Sequence, residues 1–149
     1  MYQEPKSIQL PLLGNLTRQQ LKETVLRAIV DEATAAEFYT RLLKEAPDDL
    51  HYGFIDHARK DELEHLGYFE RLYYCLFRTK PQYCIEKVQY PSYKEGVLMA
   101  LKDELEAAEV YRDVQLSVKE QLIKDVFYHA MVDELEHATQ FSTLYNQLD

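Results

Sequence analysis

Cysteine is nearly absent from this chain: Cys75 and Cys84 are the two thiols in 149 residues. Two thiols supply neither a disulfide framework nor a four-thiolate metal site, and a reduced pair in a cytoplasmic protein is the expectation. Long apolar runs are missing too, since no stretch approaches the roughly 18 residues that a membrane span needs. The N-terminal "MYQEPKSIQLPLLGN" lacks a basic start followed by an apolar signal core, so export is not expected. Positive charge is scarce: 17 Lys and Arg stand against 26 Asp and Glu, a formal net charge of −9. Such a balance argues against nucleic acid or an anionic membrane as the main partner. Glycine and proline number only four and five; most of them punctuate the chain, leaving long uninterrupted stretches between.

Those stretches read as helices of a single domain spanning 1–149, with 46% hydrophobic residues to build its core. After an N-terminal segment, 1–16, Thr17 and Gln20 form a capping box, with Leu16 and Leu21 as its hydrophobic staple. The first helix runs from there to about Ala46, and Pro47 marks the turn. The second runs from about Asp48 to Arg78, closing a hairpin over 17–78. Residues 79–92 form a crossover. Ser92 and Glu95 make a second capping box, and a second hairpin occupies 93–148 with its turn near Lys119, where neither Gly nor Pro marks it. No strand-period alternation competes, so the class is all-α.

Each helix carries an apolar row with a gap filled by charge. Glu32 sits between Ile29 and Ala36, and Glu62 with His65 between Ala58 and Phe69. Glu104 sits between Leu101 and Ala108, and Glu134 with His137 between Ala130 and Phe141. Six polar groups thus fall on the stripes that face a core.

An internal repeat relates them. Shifting the first half by 72 residues places Asp31-Glu32 on Asp103-Glu104, Tyr39 on Tyr111, His57-Ala58 on His129-Ala130 and Asp61–His65 on Asp133–His137. Two similar hairpins are implied, packed about a pseudo-twofold axis. Glu32 and Glu62 are equidistant from residue 47, as Glu104 and Glu134 are from residue 119, so each pair meets within its antiparallel hairpin. Glu37 and Glu109 repeat as well, but five residues turn a helix by about 500°, which points them about 140° away toward solvent. Glu106 lies about 200° from Glu104 and is expected to be exposed.

Four carboxylates in one buried layer cannot all stay ionised without cations, because desolvation and repulsion both oppose it. Two divalent ions balance four carboxylates and two neutral imidazoles, and an oxygen-rich set with one imidazole per metal suits iron or manganese. Asp61 and Asp133 are placed either to orient the imidazoles across the bundle or as exposed acids beside the site.

One Glu from each of two helices plus Glu-x-x-His from each of the other two resembles the ferritin-like di-iron carboxylate proteins. With "DEATAAEFY", "DELEAAEVY" and "DELEH" used twice, the chain is most similar to their rubrerythrin-type branch. The resemblance spans about residues 17–148 and implies a four-helix bundle with a long crossover between helices two and three. It implies the ligands Glu32, Glu62, His65, Glu104, Glu134 and His137, with Glu62 and Glu134 bridging two iron ions, or two manganese ions. Tyr39 and Tyr111 fall near the site, to hydrogen-bond a ligand, to carry an oxidising equivalent, or as core filler. The chain departs from the branch in lacking a rubredoxin-like four-cysteine module. It also has Ala107 where the family carries an extra third-helix glutamate tied to peroxidase efficiency.

The function so implied is a protective oxidoreductase acting on a small-molecule oxidant, peroxide or dioxygen. It would draw on an external electron donor and form a homodimer in the cytoplasm. A dimanganese catalase-like enzyme, which needs no donor, and an iron-binding or ferroxidase protein are the alternatives.

Overall fold

The computed structural model describes residues 14–149. Most of the N-terminal segment expected over 1–16, including Pro5 and Pro11, lies outside the described residues. Four helices follow one another: α1 (Arg18–Leu43), α2 (Asp49–Phe77), α3 (Tyr93–Ser117) and α4 (Gln121–Asn146). The described residues contain no strand, and the fold is an all-α four-helix bundle.

The caps follow the local sequence. Thr17 accepts from the Gln20 N–H while Gln20 accepts from the Thr17 N–H, the reciprocal box expected. Leu16 and Leu21 both pack on the core at that end. Asp48 caps α2 by accepting from the His51 N–H at 2.9 Å. Ser92 caps α3 by accepting from the Glu95 N–H, so the second box forms in one direction. α1 ends at Leu43, three residues before the expected Ala46, in a turn bonded to Arg41, Leu42 and Leu43 carbonyls. α2 ends with Arg78 at φ 56, a left-handed cap without the glycine that usually fills it. The weakly marked turn near Lys119 is a break at residues 118–120, where Val118 is extended and buried. Burial of an apolar anchor makes that turn, which is why no Gly or Pro signals it.

α1 packs along α2, and α3 along α4. The two hairpins meet broadly between α2 and α4 and only slightly between α1 and α3. The crossover, without regular structure, runs back along the bundle and delivers α3 beside the α1–α2 turn. There Tyr90 donates to Glu45 at 2.5 Å, and His51 bonds Tyr93 at 2.7 Å. The fit is close: a Cβ on Gly96 would stand 2.9 Å from Leu42 Cδ1 and 3.1 Å from the Tyr90 ring. α3 therefore runs antiparallel to α1, and α4 to α2.

Two apolar clusters fill the interior. One gathers Ile29, Phe69, Tyr111 and Phe127, the other Phe38, Tyr39, Phe141 and Leu144. Along every helix one cluster gives way to the other across a gap, and the six charged residues occupy that gap. The core is thus two hydrophobic halves with a polar layer between them. No helix among the described residues is long and apolar enough to cross a membrane.

Candidate metal centre

Glu32, Glu62, His65, Glu104, Glu134 and His137 are each at most 2% exposed. A bundle interior admits such residues only when their polar atoms are partnered. Here one atom of each is not: Glu32 Oε2, Glu62 Oε1, His65 Nδ1, Glu104 Oε2, Glu134 Oε1 and His137 Nδ1 are buried without a hydrogen-bond partner. Those atoms converge. His65 Nδ1 stands 3.3 Å from Glu134 Oε1, 3.4 Å from Glu32 Oε2 and 3.9 Å from Glu62 Oε1. His137 Nδ1 stands 3.2 Å from Glu62 Oε1, 3.5 Å from Glu104 Oε2 and 3.8 Å from Glu134 Oε1.

Two four-residue sets result, Glu32–Glu62–His65–Glu134 and Glu62–Glu104–Glu134–His137, and in each the donor atoms lie within 4.8 Å of one another. Glu62 and Glu134 belong to both, which is the placement expected of bridging carboxylates. The two imidazoles stack at 6.3 Å between centroids. Each set draws on both hairpins, so the centre forms only when they dock. The donors fit a pair of divalent metals: oxygen-rich, one imidazole each, and one orphaned atom per residue.

The far side of each imidazole is held. His65 Nε2 bonds Asp133 Oδ2 at 2.7 Å, and His137 Nε2 bonds Asp61 Oδ2 at 2.8 Å. Both bonds cross from one hairpin to the other. With the Nε2 side held by the carboxylate, Nδ1 of each ring faces the centre, where a metal would take the place of its proton. Behind the aspartates stand His57, 3.2 Å from Asp61 Oδ2, and His129, 3.6 Å from Asp133 Oδ2. Each also packs edge-on against the inner histidine. These outer histidines were not singled out from sequence. The signal was there, because they repeat at the 72-residue shift and precede the aspartates by one helical turn.

On the opposite side, Tyr39 donates to Glu104 and Tyr111 to Glu32, again across the hairpins. Both tyrosines are buried in the apolar clusters and touch the layer through their hydroxyls. They are therefore core residues and ligand partners at once. Glu109 and Glu106 are exposed. Glu37 lies partly buried on the bundle flank in a two-point ion pair with Arg41. None of the three belongs to the two sets.

Electrostatics show how the protein alone balances this layer. Burial, then repulsion from the other glutamates, raises Glu62 and Glu134 well above the usual carboxylate range. Burial would lower the two histidines, but their bonds to the carboxylates around them, which accept, outweigh it. They push His65 up to about 11 and His137 up to about 9. Burial likewise opposes ionisation of Glu32, but bonds from Glu62, His65 and Tyr111 hold it low. Burial pulls Asp61 upward, and the His137 hydrogen bond with the charges of His137 and His57 overrides it. Protons and imidazolium thus supply the positive charge that metals would bring.

A cavity of about 360 Å³ opens between α1 and α3 and reaches this layer. Glu32, Glu62, Glu104 and Glu134 line its depth, with Tyr39 and Tyr111; Ala35 and Ala107 line its walls. It exists because α1 and α3 present small residues to each other and scarcely touch. At its mouth stand Asp31, Asp103, Glu106 and Arg27, the last paired with Asp31 at 3.1 Å. Asp31 and Asp103 are open to solvent outside; burial of their inner sides, then repulsion from Glu104 and Glu106, raises Asp103 to about 6, and burial raises Asp31 against the opposing Arg27.

No family model matches the chain, and no curated protein does. Solved structures do. A two-domain protein of Anabaena variabilis containing DJ-1/ThiJ/PfpI-like and ferritin-like domains aligns with a TM-score of 0.70 at 14% identity, covering 90% of this chain and 38% of that one. This chain therefore spans well under half of that protein. A hypothetical protein of Pyrococcus furiosus aligns with a TM-score of 0.73 at 23% identity, over 85% of this chain and 88% of that one. A conserved hypothetical protein of Mycobacterium tuberculosis aligns with a TM-score of 0.73 at 12% identity, over 89% and 96%. At such identities the likeness is one of fold, and the fold is ferritin-like.

Proposed function

We propose that the chain is a di-metal carboxylate oxidoreductase of the rubrerythrin type. It would hold two iron ions and reduce peroxide or dioxygen with electrons from an external donor. One observation carries the reading: six buried residues from four helices each leave one donor atom unpartnered, and the six atoms fall into two sets sharing Glu62 and Glu134. Two metals there would supply Lewis acidity and two redox equivalents side by side.

The chain's own residues do the rest. The α1–α3 cleft admits a small oxidant to the layer, while the two apolar clusters keep bulk water from its ends. Asp61 and Asp133 hold the Nε2 protons of His137 and His65, keeping each Nδ1 aimed inward. Tyr39 and Tyr111 orient Glu104 and Glu32 through their hydroxyl protons. For peroxide the balance is one H₂O₂, two electrons and two protons giving two waters.

The test is metal analysis of protein produced with iron and manganese both present, then peroxide consumption with and without a reductant. About two irons per chain and consumption matched to reductant oxidised is the expected result. Bound manganese with dioxygen evolved and no reductant used would establish the catalase-like reading instead. Binding of neither metal sinks both.

A further inference from the structure

We propose that the α1–α3 cleft is the route by which divalent cations reach the centre, with Asp31, Asp103 and Glu106 forming a capture rim at its mouth. The inference rests on the di-metal reading and adds how the site is filled.

A centre buried to this degree needs a path, and among the described residues the other directions are filled by side chains. Toward α2 and α4, the paired bonds His65–Asp133 and His137–Asp61 cover the layer, with His57 and His129 standing half exposed behind them. Toward the two ends lie the apolar clusters, with Phe69 and Phe127 on one side and Phe141 and Tyr39 on the other. Along α1–α2 and α3–α4 the hairpins pack closely. The cleft alone among these directions brings a cavity of about 360 Å³ onto the unpartnered carboxylates.

Its chemistry suits a hydrated cation. Three carboxylates rim the mouth, and Arg27, the one cation among the described residues lining it, is turned to Asp31. Below them the walls are small at Ala35 and Ala107, and the floor is Glu32, Glu104, Glu62 and Glu134, each with an orphaned oxygen. Carboxylates thus stand at the mouth and at the floor, with a short wall between them that also carries Phe38, Val88 and Val110. A hydrated cation held at the mouth can pass the small Ala35 and Ala107 and exchange water for carboxylate oxygen at the floor. A cleft lined by one sign of charge also raises the local concentration of the opposite ion, by a factor that falls with salt.

The experiment follows uptake of Co²⁺, a redox-quiet probe with visible absorption, by the metal-stripped full-length chain. Stopped flow reads the rate across a salt series. In the Asp31→Asn, Asp103→Asn, Glu106→Gln triple variant, the low-salt rate should fall at least about tenfold and lose its salt dependence. The end point should remain two ions per chain. A Glu23→Gln, Glu86→Gln, Asp125→Asn control removes as much charge from exposed positions away from the cleft and should load at the wild-type rate. Ala107→Phe, which narrows the cleft without touching charge, should slow uptake at every salt concentration with helicity unchanged. The proposal is overturned by a rim variant that loads like wild type, by a control that slows as much as the rim variant, or by Ala107→Phe loading normally. Wild-type protein that takes up no Co²⁺ strikes the di-metal reading itself, and so separates the two failures.

Discussion

Raising the pH of the metal-free protein should weaken it, and metal should abolish that dependence. In the unfolded chain Glu62 and Glu134 titrate near the ordinary 4.5, and His65 and His137 near 6.5. In the folded chain all four values are raised, so the fold holds protons that the unfolded chain has released. Stability from such groups is complete below the unfolded value and drains away as pH climbs toward the folded one. Glu32 is shifted the other way, so its contribution is lost in acid and stays constant around neutrality. One excess proton in the fold corresponds to a loss of about 1.4 kcal/mol per pH unit, and His65 and His137 add to Glu62 and Glu134 once the pH passes the unfolded histidine value of 6.5. For a domain of this size about 2–4 °C of Tm accompanies each kcal/mol, so the metal-free Tm should fall roughly 3–6 °C per pH unit for each excess proton the fold holds. Bound metals displace those protons and leave little to titrate, while mass action adds stability of about 2.7 kcal/mol per site at a hundredfold excess over Kd. Thermal melts by circular dichroism from roughly pH 5.5 to 8.5, with and without chelator, read both effects. A metal-free Tm that is flat or rises over this range would refute the claim that protons stand in for cations here.

Other outcomes follow from the same geometry. Glu104→Ala should bind fewer than two metals per chain, whereas Glu109→Ala, exposed on the same helix, should bind two; metal analysis after dialysis decides between them. Asp61→Ala frees the His137 Nε2 and should weaken one of the two metals by about 10–100-fold in competition with a chelator; equal weakening of both would contradict the one-imidazole-per-metal arrangement. Arg78→Gly relieves a left-handed residue at φ 56 and should raise unfolding free energy by about 1 kcal/mol in urea titrations. No gain would mean that the Arg78 side chain contributes more than its exposure suggests.

Periodicity and repetition carried much of this protein into view before any coordinates. Glu32, Glu62, His65, Glu104, Glu134 and His137 were legible because each interrupts an apolar stripe, and a helix must turn such a position inward whatever surrounds it. The 72-residue repeat then paired the positions, and equidistance from the turns matched Glu32 with Glu62 and Glu104 with Glu134. Thr17 and Ser92 were legible because caps are made within four residues. Contacts between hairpins were not readable in that way. Tyr39 meets Glu104 and Asp61 meets His137 across 65 and 76 residues, and no local pattern specifies which faces of two hairpins meet. The aspartates could therefore be read as either imidazole partners or exposed acids, and the outer histidines went unread. The break after Ser117 was placed only loosely, since burial of Val118 makes it. The cleft is wholly tertiary. It arises where α1 and α3 keep apart while α2 and α4 close, a difference in packing distance that alanines permit but that only the docked hairpins decide.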